Sequence, residues 1–155
     1  MKDVALHLVE IEFKDKTDKG NHPYIQHLIR VAENTKKYNI IEFYSETLET
    51  IGLLHDLLED CPHWTTTHVN AIFNDINIIN TLTFLTKTEN INYQQYIERI
   101  GTNYMATVVK LADLEDNMNI TRLGKLTEKD ITRLKKYHKS YYYLLEKLNE
   151  HNTAE

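Results

Sequence analysis

The chain contains little cysteine, proline or glycine: one, two and four residues, respectively, in 155. A single cysteine, Cys61, excludes an internal disulfide, and a chain of this length can bury a core without one. Proline and glycine are the residues that helices tolerate least, so their scarcity favours a mostly helical chain. The sequence predicts one all-α domain over residues 1–150 and a frayed C-terminal tail over residues 151–155.

Long apolar runs are also missing from the sequence. No stretch approaches the roughly 20 apolar residues that span a bilayer. Lys2, Asp3, Glu10 and Glu12 interrupt the first segment, so we expect neither a membrane span nor a signal peptide. The net charge of −5 disfavours binding to a nucleic acid polymer, although a small anionic ligand needs only a local cluster of basic residues. We expect a cytoplasmic protein and leave its oligomeric state open.

Apolar residues recur at helical spacing along most of the chain. This pattern predicts helices over the following segments: up to about Lys14, from Pro23, from Ser45 or Thr47 through Asp60, 66–74, 77–85, 92–100, 103–117, and from Thr127 onward. Isoleucines at positions 76, 78 and 79 leave a short extended piece open as an alternative. Thr127 and Asp130 resemble a capping box in which Asp replaces Glu.

Two imidazoles and two carboxylates lie in or beside these apolar helical stretches: His27, His55, Asp56 and Asp113. Unpaired charges are costly in such surroundings, and a shared divalent cation would remove that cost. A mixed set of nitrogen and oxygen ligands suits Mn²⁺, Fe²⁺, Co²⁺ or Zn²⁺ better than Mg²⁺. Four protein ligands on an octahedral ion leave positions for water and a substrate oxygen, which favours a metal-dependent hydrolase.

Three sequence motifs occur in a fixed order. Residues 22–32 read H-P-Y-I-Q-H-L-I-R-V-A, residues 55–60 read H-D-L-L-E-D, and residues 110–118 read K-L-A-D-L-E-D-N-M. Their order and spacing resemble the HD phosphohydrolase superfamily. Within it, they resemble the alarmone hydrolases, which comprise the hydrolase domain of Rel/Spo-type enzymes and small stand-alone relatives. The resemblance covers roughly residues 5–123 and implies an all-α HD-domain helical bundle with a mononuclear metal site.

The resemblance also implies roles for individual residues. It implies four ligands for one divalent ion, typically Mn²⁺: His27, His55, Asp56 and Asp113. Glu59 and Asp60 would be the catalytic carboxylates that orient or deprotonate the attacking water. Lys19 and Asn117 would contact the substrate.

Two residues depart from the family pattern. Leu28 replaces the proline that usually follows the first metal-binding histidine. Asp18 stands where well-studied alarmone hydrolases carry an arginine against the guanine base. An aspartate cannot provide the same cation–π stacking, so Asp18 would accept hydrogen bonds from a base edge or lie in solvent. This change concerns base recognition and leaves the hydrolytic residues in place.

The resemblance implies a metal-dependent phosphohydrolase acting on a small anionic nucleotide. The specific expectation is removal of the 3′-pyrophosphate from guanosine alarmones, which converts ppGpp to GDP and pyrophosphate. The alternatives are an HD nucleotidase, a pyrophosphohydrolase acting on another nucleotide, or a binding protein that sequesters a nucleotide without turnover. Four basic residues are candidates for balancing the substrate charge: Arg30, Lys110, Arg122 and Lys125.

Overall fold

Nine α-helices account for most of residues 1–153, the part of the chain that the computed structural model describes. They are α1 (Lys2–Glu12), α2 (Ile25–Asn34), α3 (Ser45–Leu54), α4 (Leu57–Asp60), α5 (Thr66–Phe73), α6 (Ile76–Leu85), α7 (Tyr93–Gly101), α8 (Tyr104–Met118) and α9 (Glu128–Thr153). Within residues 1–153 the β-pairing is limited to one isolated bridge, between Thr17 and Pro23 in the loop before α2. The predicted all-α class is confirmed.

Side-chain caps set the beginnings of the later helices. Asn92 accepts a hydrogen bond from the Gln95 backbone N–H (2.9 Å), and the Gln95 side chain accepts one from the Asn92 N–H (3.0 Å), which forms a capping box before α7. Asn103 caps α8 with a single bond, since its side chain accepts the Ala106 backbone N–H at 2.9 Å. The Asp130 carboxylate accepts the Thr127 backbone N–H (2.9 Å), and Thr127 Oγ1 accepts the Asp130 N–H (3.3 Å). The predicted capping box at α9 is therefore confirmed.

Helix α3 lies at the centre of the fold and brings two histidines together. It packs against α1, α2, α6 and α8, and every residue from Thr47 to Leu54 is buried. Gly52 permits the tight packing against α2, because an added Cβ would lie only 2.6 Å from the Cα of Ala32. This close packing places the ring of His55 5.3 Å from the ring of His27, centroid to centroid.

The predicted continuous helix from residue 45 to residue 60 is wrong at its centre. Helix α3 ends before His55, and α4 begins after Asp56. The Nδ1–H of His55 donates to the carbonyl oxygen of Gly52 (2.7 Å), which in an unbroken helix would accept the backbone N–H of Asp56. Asp56 has φ −99° and ψ −2°, at the margin of the helical region. The helical spacing of apolar residues continues through this break. The break coincides with a side-chain hydrogen bond, and such a bond does not change the apolar pattern.

The extended alternative for the isoleucines after Asp75 is also wrong, because these residues lie in α6. Asp75 accepts the backbone N–H of Asn77 at 2.8 Å, which caps the helix and favours the helical form.

The C-terminal helix runs further than expected. Helix α9 continues through Thr153, three residues into the predicted tail, and the last two residues of that tail lie outside the described part. Fraying of the tail stays a prediction. His151 Nε2 lies 3.0 Å from the carbonyl oxygen of Gly101, which anchors this end of α9. The extent of the domain over residues 1–150 stays a prediction. Over residues 1–153, no helix is both long and apolar enough to cross a membrane.

Candidate metal centre

The His55 side chain has one ring nitrogen satisfied and one without a partner. Its Nδ1 is bonded to the Gly52 carbonyl oxygen, which can only accept, so Nδ1 carries the proton. In the neutral imidazole Nε2 is then the atom with the lone pair, and it is buried without a hydrogen-bond partner. A buried imidazole oriented in this way through its other nitrogen has the arrangement that metal-binding histidines usually have.

The His27 side chain, from α2, is oriented in the same manner. Its Nδ1 lies 2.6 Å from Oδ2 of Asp116, and its side chain is only 3% exposed. Its Nε2 faces two carboxylates, at 3.4 Å from Oδ1 of Asp113 and 3.9 Å from Oδ2 of Asp56. Both histidines thus present Nε2 to the same small space.

Two carboxylates complete this cluster, and each has further partners. Asp56 Oδ2 lies 3.2 Å from Nε2 of His55 and accepts the hydroxyl of Tyr24 at 2.5 Å. Asp113 Oδ1 lies 3.6 Å from the same Nε2 and accepts the side-chain amide of Asn117 at 2.5 Å. Lys110 donates to the other oxygen of Asp113 at 2.7 Å. These bonds orient both carboxylates.

The chemistry of this donor set fits a divalent cation. Ligand atoms of His27, His55 and Asp56 all lie within 4.8 Å of one another, and Asp113 lies beside them. Burial alone would lower the pKa of His55, but the charges of Asp56 and Asp113 raise it well above its usual value. The cluster therefore attracts positive charge strongly, and a metal ion could supply it in place of protons.

The two predicted catalytic carboxylates lie on α4, beside the cluster. Glu59 accepts the backbone N–H of Lys87, and Asp60 pairs with Lys16. Loss of hydration and then the charge of Asp56 raise the pKa of Glu59, against the lowering effect of the Lys87 N–H. A carboxylate with a raised pKa next to a candidate metal site is suited to accepting and returning a proton.

Asp18 contacts its own loop and a distant arginine. Its Oδ1 accepts the backbone N–H groups of Gly20 (2.8 Å) and His22 (3.0 Å), and its Oδ2 accepts Nη1 of Arg122 at 2.7 Å. Burial would raise the pKa of Asp18, but these bonds and the charge of Arg122 lower it overall. Both oxygens are engaged, so contact of Asp18 with a base stays a prediction. Its bonds shape the turn that carries Lys19.

One cavity of about 480 Å³ joins most of these residues. Its lining includes eight of the nine predicted site residues: His27, Asp56, Asp113, Glu59, Asp60, Lys19, Asn117 and Asp18. His55 lies behind it, in contact with Asp56. Five basic side chains also line the cavity: Lys16, Lys19, Lys110, Arg122 and Arg133. The site therefore combines a cluster of acids and imidazoles with a wall of cations.

Four of those five cations already have acidic partners. Lys16 pairs with Asp60, Lys110 with Asp113, Arg122 with Asp18, and Arg133 with Asp130. Among residues 1–153, Lys19 makes no ion pair within 4.0 Å. Burial and then the positive charge of Arg133 lower its pKa. Lys19 is therefore the cavity lysine most available to an anionic ligand.

The basic residues that the sequence suggested for balancing the substrate charge differ in their positions in the structure. Arg30 and Lys110 hold Asp116 and Asp113, and Lys125 is exposed and absent from the cavity lining. Lys16 and Arg133 were not anticipated, because neither lies in a motif and each reaches the cavity only through the tertiary fold. Asp116 and Tyr24 lie inside the recognised motifs, so the sequence could have indicated these two residues. It could not have indicated which side chains they contact.

Comparison with known proteins adds a structural match. No family model matches the chain, and no curated protein matches it in sequence. A solved structure, described as a metazoan ortholog of SpoT that hydrolyzes ppGpp and plays a role in starvation responses, matches it with a TM-score of 0.73. The chain shares the fold of that protein. The match covers 96% of this chain and 92% of the other at 21% identity, and it confirms the predicted resemblance at the level of the fold.

Proposed function

We propose that this chain is a divalent-metal-dependent phosphohydrolase that removes the 3′-pyrophosphate of guanosine alarmones, converting ppGpp to GDP and pyrophosphate. The observation that carries the proposal is the convergence of two imidazole Nε2 atoms on Asp56 and Asp113, beside a cavity with a cationic wall. The shared fold with a protein described as hydrolysing ppGpp supports the same reaction.

Four side chains would hold the metal: His27, His55, Asp56 and Asp113. We propose Mn²⁺, since two nitrogen and two carboxylate ligands suit it and leave coordination positions open. When bound, such an ion supplies positive charge that stabilises the negative charge developing on the transferred phosphoryl group. We also propose a cytoplasmic location. A chain with a single cysteine forms no internal disulfide, as is usual for proteins of reducing compartments.

Glu59 and Asp60, the two acids of α4, would transfer a proton and orient the attacking water. Hydrolysis joins a water oxygen to the 3′-phosphorus and breaks the bond from that phosphorus to the 3′-oxygen. Glu59, with its raised pKa, accepts the proton that the water loses, and a proton returns to the 3′-oxygen as it leaves. Asp60, held by Lys16, helps to orient the water.

Lys19 and Asn117 would bind the substrate. Lys19 makes no ion pair among the described residues and lines the cavity, so it is suited to a phosphate group. Asn117 donates one amide hydrogen to Asp113 and lines the same cavity. Asn117 can thereby connect a substrate oxygen to the metal ligand Asp113.

A second candidate is hydrolysis of another nucleotide, such as a nucleoside monophosphate. The position of Asp18 favours it, because both carboxylate oxygens are engaged by the loop and by Arg122. Position 18 therefore offers no guanidinium group for stacking on guanine. Selectivity for the base is therefore expected to be weaker than selectivity for the phosphate arrangement.

A nucleotide panel tests the proposal and its alternatives. Mn²⁺-loaded protein is incubated with ppGpp, its adenosine analogue and nucleoside monophosphates, and released pyrophosphate and phosphate are measured separately. We expect pyrophosphate from ppGpp, none after EDTA treatment, and recovery on adding Mn²⁺. Phosphate from monophosphates with ppGpp left intact would establish the nucleotidase instead. Tight nucleotide binding without any release would indicate a sequestering protein.

A further inference from the structure

Asp18 lies at one end of a continuous chain of polar contacts that ends at His27. We propose that Asp18 is a positioning residue that acts through Arg122 and Asp116 on the imidazole of His27. The conformation of the loop bearing Lys19 and the affinity of the metal centre are then coupled. The inference rests on the proposed function only in taking His27 as a metal ligand.

The first link joins the loop to Arg122. Asp18 uses one oxygen for the N–H groups of Gly20 and His22, which fixes the turn around Lys19. Its second oxygen accepts Nη1 of Arg122 at 2.7 Å, across 104 residues of sequence. The Asp18 side chain is 10% exposed and that of Arg122 21%, so solvent screens this pair only partly.

The second link joins Arg122 to Asp116. Nη2 of Arg122 donates to the backbone carbonyl oxygen of Asp116 at 2.7 Å and lies 3.3 Å from its Oδ2. A guanidinium held at Nη1 by Asp18 and at Nη2 by Asp116 has a fixed plane. The position of Asp116 therefore depends on the ion pair between Asp18 and Arg122.

The third link joins Asp116 to His27. Oδ2 of Asp116 accepts Nδ1–H of His27 at 2.6 Å, and the Asp116 side chain is 4% exposed. Arg30 also holds Asp116, through Nε to Oδ1 (2.6 Å) and Nη2 to Oδ2 (3.1 Å). Loss of Arg122 therefore leaves Asp116 partly held, and we expect graded effects: large at Asp116, smaller at Arg122 and Asp18.

Metal affinity measured without nucleotide tests the coupling. Mn²⁺ is titrated calorimetrically into wild type, Asp116→Asn, Arg122→Gln and Asp18→Asn. Asp18→Asn retains an oxygen for the loop N–H groups and loses the charge that pairs with Arg122. Changing the direct partner of a metal-binding histidine typically weakens affinity by about 10–100-fold, and we expect this for Asp116→Asn. For Asp18→Asn and Arg122→Gln we expect a smaller loss, of about three- to tenfold.

A double variant and a matched control decide whether one pathway carries the effect. The double variant Asp18→Asn/Arg122→Gln should bind Mn²⁺ as weakly as the weaker single variant, because both changes break the same link. Asp130→Asn removes another aspartate–arginine pair near the cavity, that with Arg133, and should leave the Kd within twofold of wild type. Full additivity, or single variants at Asp18 and Arg122 within twofold of wild type, would overturn the proposal.

A second measurement needs no metal. In metal-free protein, the His27 Nδ1 proton is held by Asp116, and NMR reports its exchange with water. We expect faster exchange in Asp18→Asn than in wild type and in Asp130→Asn. Unchanged exchange would overturn the relay even if metal binds. Failure of wild type to take up any metal, with accelerated exchange in Asp18→Asn, would instead refute the proposed function and leave the relay supported.

Discussion

Replacing Gly52 with alanine tests the close packing that brings the two histidines together. The new Cβ would lie 2.6 Å from Cα, 3.0 Å from N and 3.2 Å from Cβ of Ala32. These are mostly backbone atoms of a buried helix, which cannot move aside as the end of a flexible side chain can. Helices α2 and α3 must therefore separate, and His27 must move relative to His55.

The size of the effect follows from two opposing terms. Overpacking a well-packed core costs about 1–3 kcal/mol, and a backbone clash lies at the upper end, near 3 kcal/mol. Alanine is a better helix former than glycine by about 1 kcal/mol. The net expectation for Gly52→Ala is a loss of about 2 kcal/mol in the free energy of unfolding, measured in urea as a lower midpoint at an unchanged m-value.

Gly124→Ala is the matched control. A Cβ at Gly124 would have no heavy atom within 4 Å, and no glycine among the described residues has positive φ. Its unfolding free energy should stay within about 0.5 kcal/mol of wild type. A loss in Gly52→Ala no larger than that in Gly124→Ala would refute the packing argument. Unchanged Mn²⁺ affinity in a clearly destabilised Gly52→Ala would separate packing from the metal centre.

Glu59→Gln should retain Mn²⁺ and lower kcat for ppGpp by about 10²–10⁴-fold, because the amide cannot accept the water proton. Tyr24→Phe keeps the ring that stacks on Phe13 but removes the hydroxyl donated to Asp56, so Mn²⁺ affinity should fall by about tenfold in calorimetry. Burial would raise the pKa of Asp116, but bonds from His27 and Arg30 lower it to about 2, below its ordinary value of 3.8. Its contribution, about 2 kcal/mol, is present above pH 4 and lost as the pH falls toward 2. Metal-free wild type and Asp116→Asn should therefore converge in unfolding free energy over that interval.

Each of these expectations has an outcome that contradicts it. Glu89→Gln, an exposed glutamate outside the cavity, is the control for the loss of charge, and turnover of Glu59→Gln within twofold of it would remove Glu59 from the mechanism. Equal Mn²⁺ affinity in wild type and Tyr24→Phe would show that the hydroxyl does not orient Asp56. A constant stability difference between pH 5 and pH 2 would contradict the stated pKa of Asp116.

Sequence reasoning succeeded where the determining interactions are local. Asn92, Asn103 and Thr127 cap helices through residues three positions away, so their sequence context predicts where α7, α8 and α9 begin. The proximity of His27 and His55 was also predicted, although it is not local. That prediction came from the sequence motifs and not from helical spacing.

Prediction from the sequence failed where a single hydrogen bond or a contact between distant residues determines the structure. The break between α3 and α4 coincides with His55 bonding to the Gly52 carbonyl oxygen, while the apolar pattern continues through it. The partner of Asp18 lies 104 residues away at Arg122, in a segment without helical periodicity. Neither interaction leaves a periodic signal, so both require the tertiary structure.

The location of bound Mn²⁺ tests the central claim most directly. Crystals grown with Mn²⁺ and measured for anomalous scattering would show where the ion lies. We predict one strong peak per chain within ligand distance of Nε2 of His27, Nε2 of His55 and carboxylate oxygens of Asp56 and Asp113, and its loss in His55→Ala. No peak at this cluster in fully Mn²⁺-loaded crystals, or a peak that persists there in His55→Ala, would contradict it.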